Sequence, residues 1–406
     1  GAVPEHLRPY IFKGIEDWNK AFERAGFKNA IKAVIPADTL DIDGDDMRYS
    51  VLTYAASEKA NAMGPSTIDP RTGEILEADI IWWHNVQSLI SEWITVQTGA
   101  IDPRARSLEL PIELIGEAVR FVACHEVGHS LGLRHNMMAS AAYPTDSLRS
   151  ESFTTRMGGT SASIMDYARF NYVAQPGDGV KVLSPNIGPY DLMAIEWGYR
   201  WYPAGTDENI VLNELLGKYK GKEYRYSETQ SQRSAIDPRA LSEDLGDDPI
   251  KSARLGVENL KRVMPNLVEW TRNNKPGQNY DEAGNLYSAV IQQWTLFLYH
   301  VMANVGGIYL DRPTVDNQQG QAIKAYTFVE KDRQKEAVQF LLDEVLCFPE
   351  WLFGTPLSTQ IYPLRNTPLG TTEQEPAMLL KNQQNYILWD LLANDRLVRM
   401  YQNEWV

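Results

Sequence analysis

One run of residues constrains this chain more than any other part of it. Residues 125–136 read HEVGHSLGLRHN. Because side chains four residues apart lie on one face of a helix, His125 and His129 can hold one metal ion. Gly132 can adopt the left-handed backbone that ends a helix, and the turn brings His135 back as a third ligand. Three protein ligands leave one coordination position open, which is typical of a catalytic zinc (Zn²⁺) site and not of a structural one.

The sequence around this run favours a real site over a chance match. Glu126 directly follows the first histidine and can act as a general base toward water at the ion. Pro111 suits a first helical turn, and the spacing of the apolar residues that follow predicts a helix over residues 111–133. These apolar residues are Ile112, Leu114, Ile115, Ala118, Val119, Val122 and Ala123.

The spacing H-E-x-x-H-x-x-G-x-x-H resembles the zinc motif of the metzincin clan of metallopeptidases. A second segment, SIMDY at residues 163–167, resembles the Met-turn of that clan. By this resemblance Met165 would form an apolar floor under the three histidines, and Tyr167 would ligate the zinc or hydrogen-bond the reaction intermediate. The alternative for Met165 is an ordinary core methionine, since methionine fills gaps in many cores.

The resemblance extends over most of the chain and is closest to large bacterial metalloproteases described as Met-zincins. Residues 15–27 resemble the clan's first helix, and residues 187–199 resemble the last helix of its catalytic domain. The implied fold class is α+β. A metzincin-like catalytic domain, with a mixed sheet and the zinc helix, would span residues 1–200. A mainly α-helical domain of unassigned role would span residues 201–406.

A hairpin is predicted from residues 62–69 and 75–83 around a turn at residues 69–74. In metzincins the first of these strands is the sheet edge above the cleft. An edge strand has free backbone groups with which an extended peptide can pair. By resemblance Ala62, Met63 and Gly64 would offer that edge to a substrate, whereas the alternative is a plain hairpin without this role.

Composition excludes several classes of protein. The net charge of −14 argues against nucleic-acid binding, which needs a basic face. No run of 18 apolar residues is present, so no membrane span is expected in this chain. Two cysteines, Cys124 and Cys347, are expected to be buried free thiols and not a disulfide.

The remaining elements are predicted from periodicity and turn residues. Helices are expected at residues 4–26, 249–270, 286–305 and 331–346, and strands at residues 31–35, 47–55 and 306–310. An acidic loop at residues 41–46 is interpreted as a solvated turn, with a calcium site as the alternative. His6, His84 and His300 lack partners at ligand spacing, so they are expected to be structural histidines that satisfy their hydrogen bonds.

The start of the chain carries a further expectation. Helix 4–26 begins without the strand that metzincins place before it, so native sequence upstream of residue 1 is expected to supply a strand to the sheet. A leader, a propeptide and further domains are also expected upstream. The family resemblance implies a secreted or cell-envelope location, although this chain carries no signal peptide.

Together these features predict a zinc metalloendopeptidase that acts on a peptide or protein substrate. Zn²⁺ would be bound by His125, His129 and His135, with Glu126 as the general base and Tyr167 as a stabiliser of the oxyanion. One alternative is a zinc peptidase or amidase restricted to short peptides or cell-wall crosslinks. The other is a non-catalytic binding module that keeps a metal-containing fold.

Overall fold

The computed structural model describes residues 3–36, 44, 46–57, 59, 61–313, 324–361, 364–365, 373–374 and 376–405. Numbered along the chain, the helices are α1 Arg8–Glu16, α2 Asn19–Ala25, α3 Val86–Thr98, α4 Ile112–Ser130, α5 Glu151–Met157, α6 Pro189–Tyr199, α7 Glu208–Leu216, α8 Pro249–Val263, α9 Leu267–Trp270, α10 Asp281–Met302, α11 Lys331–Leu341, α12 Glu350–Phe353, α13 Leu357–Gln360, α14 Pro376–Leu391 and α15 Asn394–Asn403. The strands are β1 Leu52–Ala55, β2 Ala62–Met63, β3 Ser66–Ile68, β4 Ile75–Ala78, β5 Ile80–Trp83, β6 Ile308–Leu310, β7 Tyr326–Phe328, β8 Leu364–Arg365 and β9 Glu373–Gln374. The predicted mixed α+β character is therefore confirmed.

A small mixed sheet packs beside α4. Its order is β1-β5-β2, with β1 parallel and β2 antiparallel to the central β5. β3 and β4 form the predicted hairpin, whose turn is closed by a hydrogen bond from the Asp69 N–H to the Glu74 carbonyl (2.9 Å). β2 lies at the outer edge of the three-stranded sheet within the described residues. The strand expected from upstream of residue 1 stays a prediction.

The N-terminal helix is broken into α1 and α2, so the prediction of one helix over residues 4–26 is wrong in this respect. At the break, Trp18 is fully buried and its indole N–H donates to the Cys124 carbonyl of α4 (2.9 Å). Asp17 accepts two hydrogen bonds from Arg120 of α4 (2.6 and 2.7 Å). Both contacts turn this segment toward α4. One straight helix over residues 4–26 could not make both contacts and also keep its apolar face in the core.

Two hydrophobic cores hold the molecule together. The first packs α4 against α1, α2 and the three-stranded sheet. The second surrounds α10, where Val290, Trp294 and Phe297 are fully buried. α3 lies between them and contacts α4, α8 and α10. The second core draws side chains from both sides of residue 200, where the domain boundary stays a prediction.

The strand predicted at residues 31–35 is wrong, because residues 31–36 have no regular secondary structure. No strand among the described residues pairs with them, and an unpaired segment gains no ladder hydrogen bonds. Ile31 is instead tied to α2, where the Asn19 side chain bonds both its N–H and its carbonyl (3.1 and 2.8 Å). The strand predicted at residues 47–55 shortens to β1, because residues 47–49 form a turn.

Several other boundaries differ from expectation. The helix predicted over residues 249–270 is interrupted at Met264–Asn266, where Pro265 cannot donate a helical hydrogen bond. The predicted helix 286–305 begins earlier, as α10, and the helix predicted to residue 346 ends as a π-helical turn at Leu342–Leu346. Strand 306–310 shortens to β6. The acidic loop at residues 41–46 lies largely outside the described residues.

Both cysteines are free, as predicted, but the expectation of two buried thiols holds only for Cys124. Cys347 is exposed because the chain leaves the π-helical turn at this point and Phe348 also faces solvent. Among the helices that the structure describes, none has the length and hydropathy needed to cross a bilayer.

Candidate metal centre

The three histidines of the motif converge on one point. His125 and His129 lie on one face of α4, which ends at Ser130. Gly132 then takes a positive φ of 85°, a conformation that a residue with a Cβ rarely adopts. The chain turns back there, and the His135 Nε2 atom lies 3.2 Å from that of His125 and 3.1 Å from that of His129.

Backbone carbonyls orient two of the rings. The His125 Nδ1 atom lies 2.7 Å from the Ile164 carbonyl oxygen, and the His129 Nδ1 atom lies 2.9 Å from the Leu133 carbonyl oxygen. Since a carbonyl only accepts hydrogen bonds, Nδ1 carries the proton in both rings. Each Nε2 atom therefore presents a lone pair toward the shared point, which is the arrangement that a metal-ligating histidine needs.

These residues fit a zinc ion. Burial lowers the pKa of His125, His129 and His135, the last to about 4, so the imidazoles are neutral near pH 7. Zinc–nitrogen bonds of about 2.0–2.1 Å place two tetrahedral ligand atoms about 3.3 Å apart. The observed separations of 3.1 and 3.2 Å are close to that value. Two lone pairs this near each other repel unless a cation lies between them.

Glu126 lies where α4 meets the edge of the sheet. Its side chain is buried, and burial raises its pKa to about 7. The backbone of Gly64, directly after β2, and the positive charge of Arg169 both act in the opposite direction on this pKa. A Cβ at Gly64 would lie 2.7 Å from the Glu126 carbonyl oxygen, so only glycine allows the strand to approach α4 this closely. Ala62 and Met63 form β2 itself, and Met63 is half exposed.

Met165 lies fully buried beneath α4, against Gly128. Asp191, in the first turn of α6, fixes this segment. Its carboxylate accepts hydrogen bonds from the Ser163 hydroxyl (2.6 Å) and from the Ile164 N–H (2.8 Å). Since the Ile164 carbonyl in turn contacts His125, the chain of contacts runs from α6 to the first histidine. The structure therefore packs Met165 against the helix that carries two of the histidines, while its role as an apolar floor under the site stays a prediction.

Tyr167 and Arg169 complete the centre on another side. The Tyr167 ring stacks on His125 (ring centroids 5.3 Å apart) and contacts His135 (4.3 Å). The Arg169 guanidinium lies 4.6 Å from the Tyr167 ring centroid and 4.0 Å from that of Trp93 in α3. Burial raises the pKa of Tyr167, and the positive charge of Arg169 opposes this shift. The phenol is therefore protonated near neutral pH.

A cleft of about 350 Å³ opens beside His129 and His135. One wall comes from the motif and the other from a segment after residue 200. The lining residues are His129, Leu133, Arg134, His135, Tyr226, Glu228 and Thr229. The segment is tied to the site by Asn136, whose side chain donates to the Arg225 carbonyl (2.8 Å) and accepts from the Ser227 N–H (3.1 Å). Arg134 and Glu228 form an ion pair across the cleft (3.0 Å).

The structure thus brings together all the residues that the sequence predicts for the site: the three histidines, Glu126, Gly132, Met165, Tyr167 and the strand at residues 62–64. By resemblance, residues 169–189 were expected to line a substrate pocket, but the contact of Arg169 with Tyr167 was not predicted. Sequence reasoning also missed Asp191, Trp93 and the wall at residues 226–229. Asp191 could have been noticed as an acidic residue in a first helical turn. The others carry no local signal, because they reach the site only through long-range packing.

Comparison with known proteins gives one family. A family model described as Met-zincin matches residues 107–406, which begin just before α4 and include the histidines, residues 163–167 and the helices described after them. None of the curated proteins and none of the solved structures compared with the chain matches it.

Proposed function

Since the chain belongs to the Met-zincin family, we propose that it is a zinc-dependent metalloendopeptidase. The observation that carries this proposal is the convergence of three histidine Nε2 atoms beside the buried carboxylate of Glu126. His125, His129 and His135 would hold the ion. Zinc bound there would polarise the scissile carbonyl and lower the pKa of water.

Glu126 is the proposed proton carrier. Its pKa of about 7, raised by burial, suits a group that accepts a proton from water and later delivers it to the leaving amine. Tyr167, which stacks on His125 and contacts His135, would donate a hydrogen bond to the developing oxyanion.

The proposed substrate is a peptide or protein in extended form. Among the described residues β2 is an outer strand of the three-stranded sheet and contacts α4, and a peptide paired with its outer edge would run past the histidines. The proposal includes the secreted or cell-envelope location that the family resemblance implies.

One observation favours a second candidate function. The wall at residues 226–229 narrows the cleft beside His129 and His135, and its ion pair spans it. A bounded cleft favours a zinc peptidase or amidase for short peptides or cell-wall crosslinks over an enzyme with an open groove. A non-catalytic binding module has less support, because Glu126 lies at the centre where a base is needed.

The test compares peptide hydrolysis by zinc-loaded wild type, Glu126→Gln and His129→Ala. We expect one zinc per chain in the wild type and in Glu126→Gln, and none in His129→Ala. Removing the base should lower the rate by about 10²–10⁴-fold. Glu117→Gln is the matched control, because Glu117 lies on the same helix but pairs with Arg120 at the surface.

Retention of near wild-type hydrolysis by Glu126→Gln would contradict the assignment of Glu126 as the base.

A peptide library of graded length distinguishes the two candidate functions. An endopeptidase should cleave long peptides and unfolded proteins, whereas the second candidate should cleave only short peptides or crosslinked wall fragments.

A further inference from the structure

We infer that Arg169 is a positioning residue for the proposed hydrolysis, which it serves by holding the Tyr167 ring against the histidines. This inference rests on the proposed function for its effect on rate. Its structural part, that Arg169 fixes Tyr167, stands without it.

Two aromatic faces hold the guanidinium. Arg169 lies 4.0 Å from the Trp93 ring centroid and 4.6 Å from the Tyr167 ring centroid, and its side chain is only 13% exposed. A planar cation can contact a ring on each of its faces. Trp93 belongs to α3, which is anchored in both cores, so Arg169 connects this helix to the ring of Tyr167.

The backbone supports the same conclusion. Arg169 has a φ of 54° and its ion-pair partner Glu243 has a φ of 66°. Neither residue is a glycine, and such conformations persist only where surrounding contacts demand them. The pair itself has a nitrogen–oxygen distance of 3.3 Å. Two strained residues joined by one ion pair beside a metal centre point to a role beyond folding.

The hydrogen bonds of Arg169 do not by themselves fix its guanidinium. Within the described part of the chain, its Nε atom has no hydrogen-bond partner. The guanidinium is therefore fixed by one carboxylate and two ring faces. Without it, the Tyr167 ring would lose the contact that ties it to Trp93 of α3, although its contacts with the two histidines and with the cluster of Met137, Met138 and Ala240 would remain. We expect its hydroxyl then to leave the position where an oxyanion forms.

The first experiment is a double-mutant cycle on the zinc-loaded protein with Arg169→Met, Tyr167→Phe and the double variant. Tyr167→Phe should lower kcat by about 10²–10³-fold, the usual loss for one oxyanion donor. Arg169→Met should lower kcat by about tenfold or more with a smaller change in KM. The double variant should be no slower than Tyr167→Phe. Full multiplication of the two losses would overturn the inference.

Arg169→Lys separates charge from shape. Lysine keeps the positive charge but has no planar face to fit between two rings. We expect it to recover only part of the rate lost in Arg169→Met. Complete recovery would show that charge alone is needed, which contradicts positioning through the rings.

A second readout does not depend on activity. With tyrosine labelled at ¹³Cζ, the Tyr167 signal is identified by its loss in Tyr167→Phe. Arg169→Met should shift or broaden this signal while the zinc content stays at one per chain. The matched control is Arg239→Met, because Arg239 is 19% exposed, pairs with Asp237 and lies 4.9 Å from the Tyr309 ring centroid. It should leave the Tyr167 signal unchanged.

An unchanged Tyr167 signal in Arg169→Met would overturn the inference whatever the kinetics. If the wild type hydrolyses no peptide, the proposed function fails, and the tyrosine signals still decide whether Arg169 holds Tyr167.

Discussion

Histidine serves two purposes in this protein, and its surroundings decide between them. The three motif histidines turn their lone pairs toward one another. His300, in α10, is 2% exposed, and its Nε2 atom lies 2.9 Å from the Ser242 carbonyl oxygen. His84 pairs with the Tyr54 hydroxyl (2.6 Å). The predicted structural role of His300 is therefore confirmed, because its Nε2 atom is satisfied by a backbone carbonyl.

His300 should make stability depend on pH. Burial lowers its pKa from 6.5 to about 4, so the unfolded chain binds the proton more readily between those values. Its stabilisation is complete above pH 6.5 and is lost as the pH falls toward 4, by about 3 kcal/mol. In urea unfolding at pH 7, 5.5 and 4, the difference in free energy between wild type and His300→Gln should shrink by about that amount. A difference independent of pH would exclude this assignment.

Among the elements, α4 carries the site because it can approach its neighbours closely. At Gly128, inside the histidine motif, a Cβ would overlap the Met165 Sδ atom and lie 2.9 Å from Trp18 Cζ2. The missing side chain allows both large residues to pack against the helix backbone. The same helix meets β2 at Gly64. Two glycines thus set the distances between α4, the Met165 segment and the sheet edge.

Gly128→Ala should therefore destabilise the protein although alanine is the better helix former. Alanine gains about 1 kcal/mol in propensity, while overpacking typically costs about 1–3 kcal/mol. We expect a net loss in the free energy of unfolding and weaker zinc binding. The control is Gly198→Ala in α6, where no atom lies within 4 Å of the added Cβ, and which should be neutral or stabilising. Equal effects of the two changes would refute the packing argument.

The ease of predicting an element followed its pattern of burial. For α4, α8 and α10 the prediction came within a few residues of the observed bound at one end or at both, because their apolar positions recur at helical spacing. The helix α6 was expected only from the family resemblance. α3 was missed, since it lies between two cores and buries consecutive residues 94–98, which leaves little contrast between its faces. Residues 31–35 have the composition of a strand, but no partner strand among the described residues pairs with them.

At the scale of the whole molecule, residues on both sides of residue 200 contribute to the second hydrophobic core. The buried side chain of Gln97 in α3 donates to that of Gln293 in α10 (2.7 Å), and the Asn259 side chain donates to the Tyr172 carbonyl (2.9 Å). Each pair joins the two sides of residue 200. Separation at that boundary would expose the buried apolar side chains of α10 to water and would break both of these hydrogen bonds.

The halves should therefore unfold together. In a Cys347→Ser background the remaining thiol, Cys124, is buried and reacts with a thiol reagent only after unfolding of the first core. Trp294→Ala, in the second core, should destabilise the protein by about 3–5 kcal/mol. We expect the denaturant midpoint of Cys124 labelling to fall together with that of circular dichroism. A labelling midpoint that does not move would show that the halves are independent domains.

The sequence alone determined which three histidines converge, that Glu126 lies beside the first of them, and the turn at Gly132, because these depend on helical spacing and on the backbone freedom of one glycine. Those are local properties, and a short run of residues carries them. Only the tertiary structure decided that Asp191 holds the Met165 segment, that Arg169 lies between Trp93 and Tyr167, and that residues 226–229 wall the cleft. Each of these contacts joins residues from separate elements, and the packing of the two cores sets their distances.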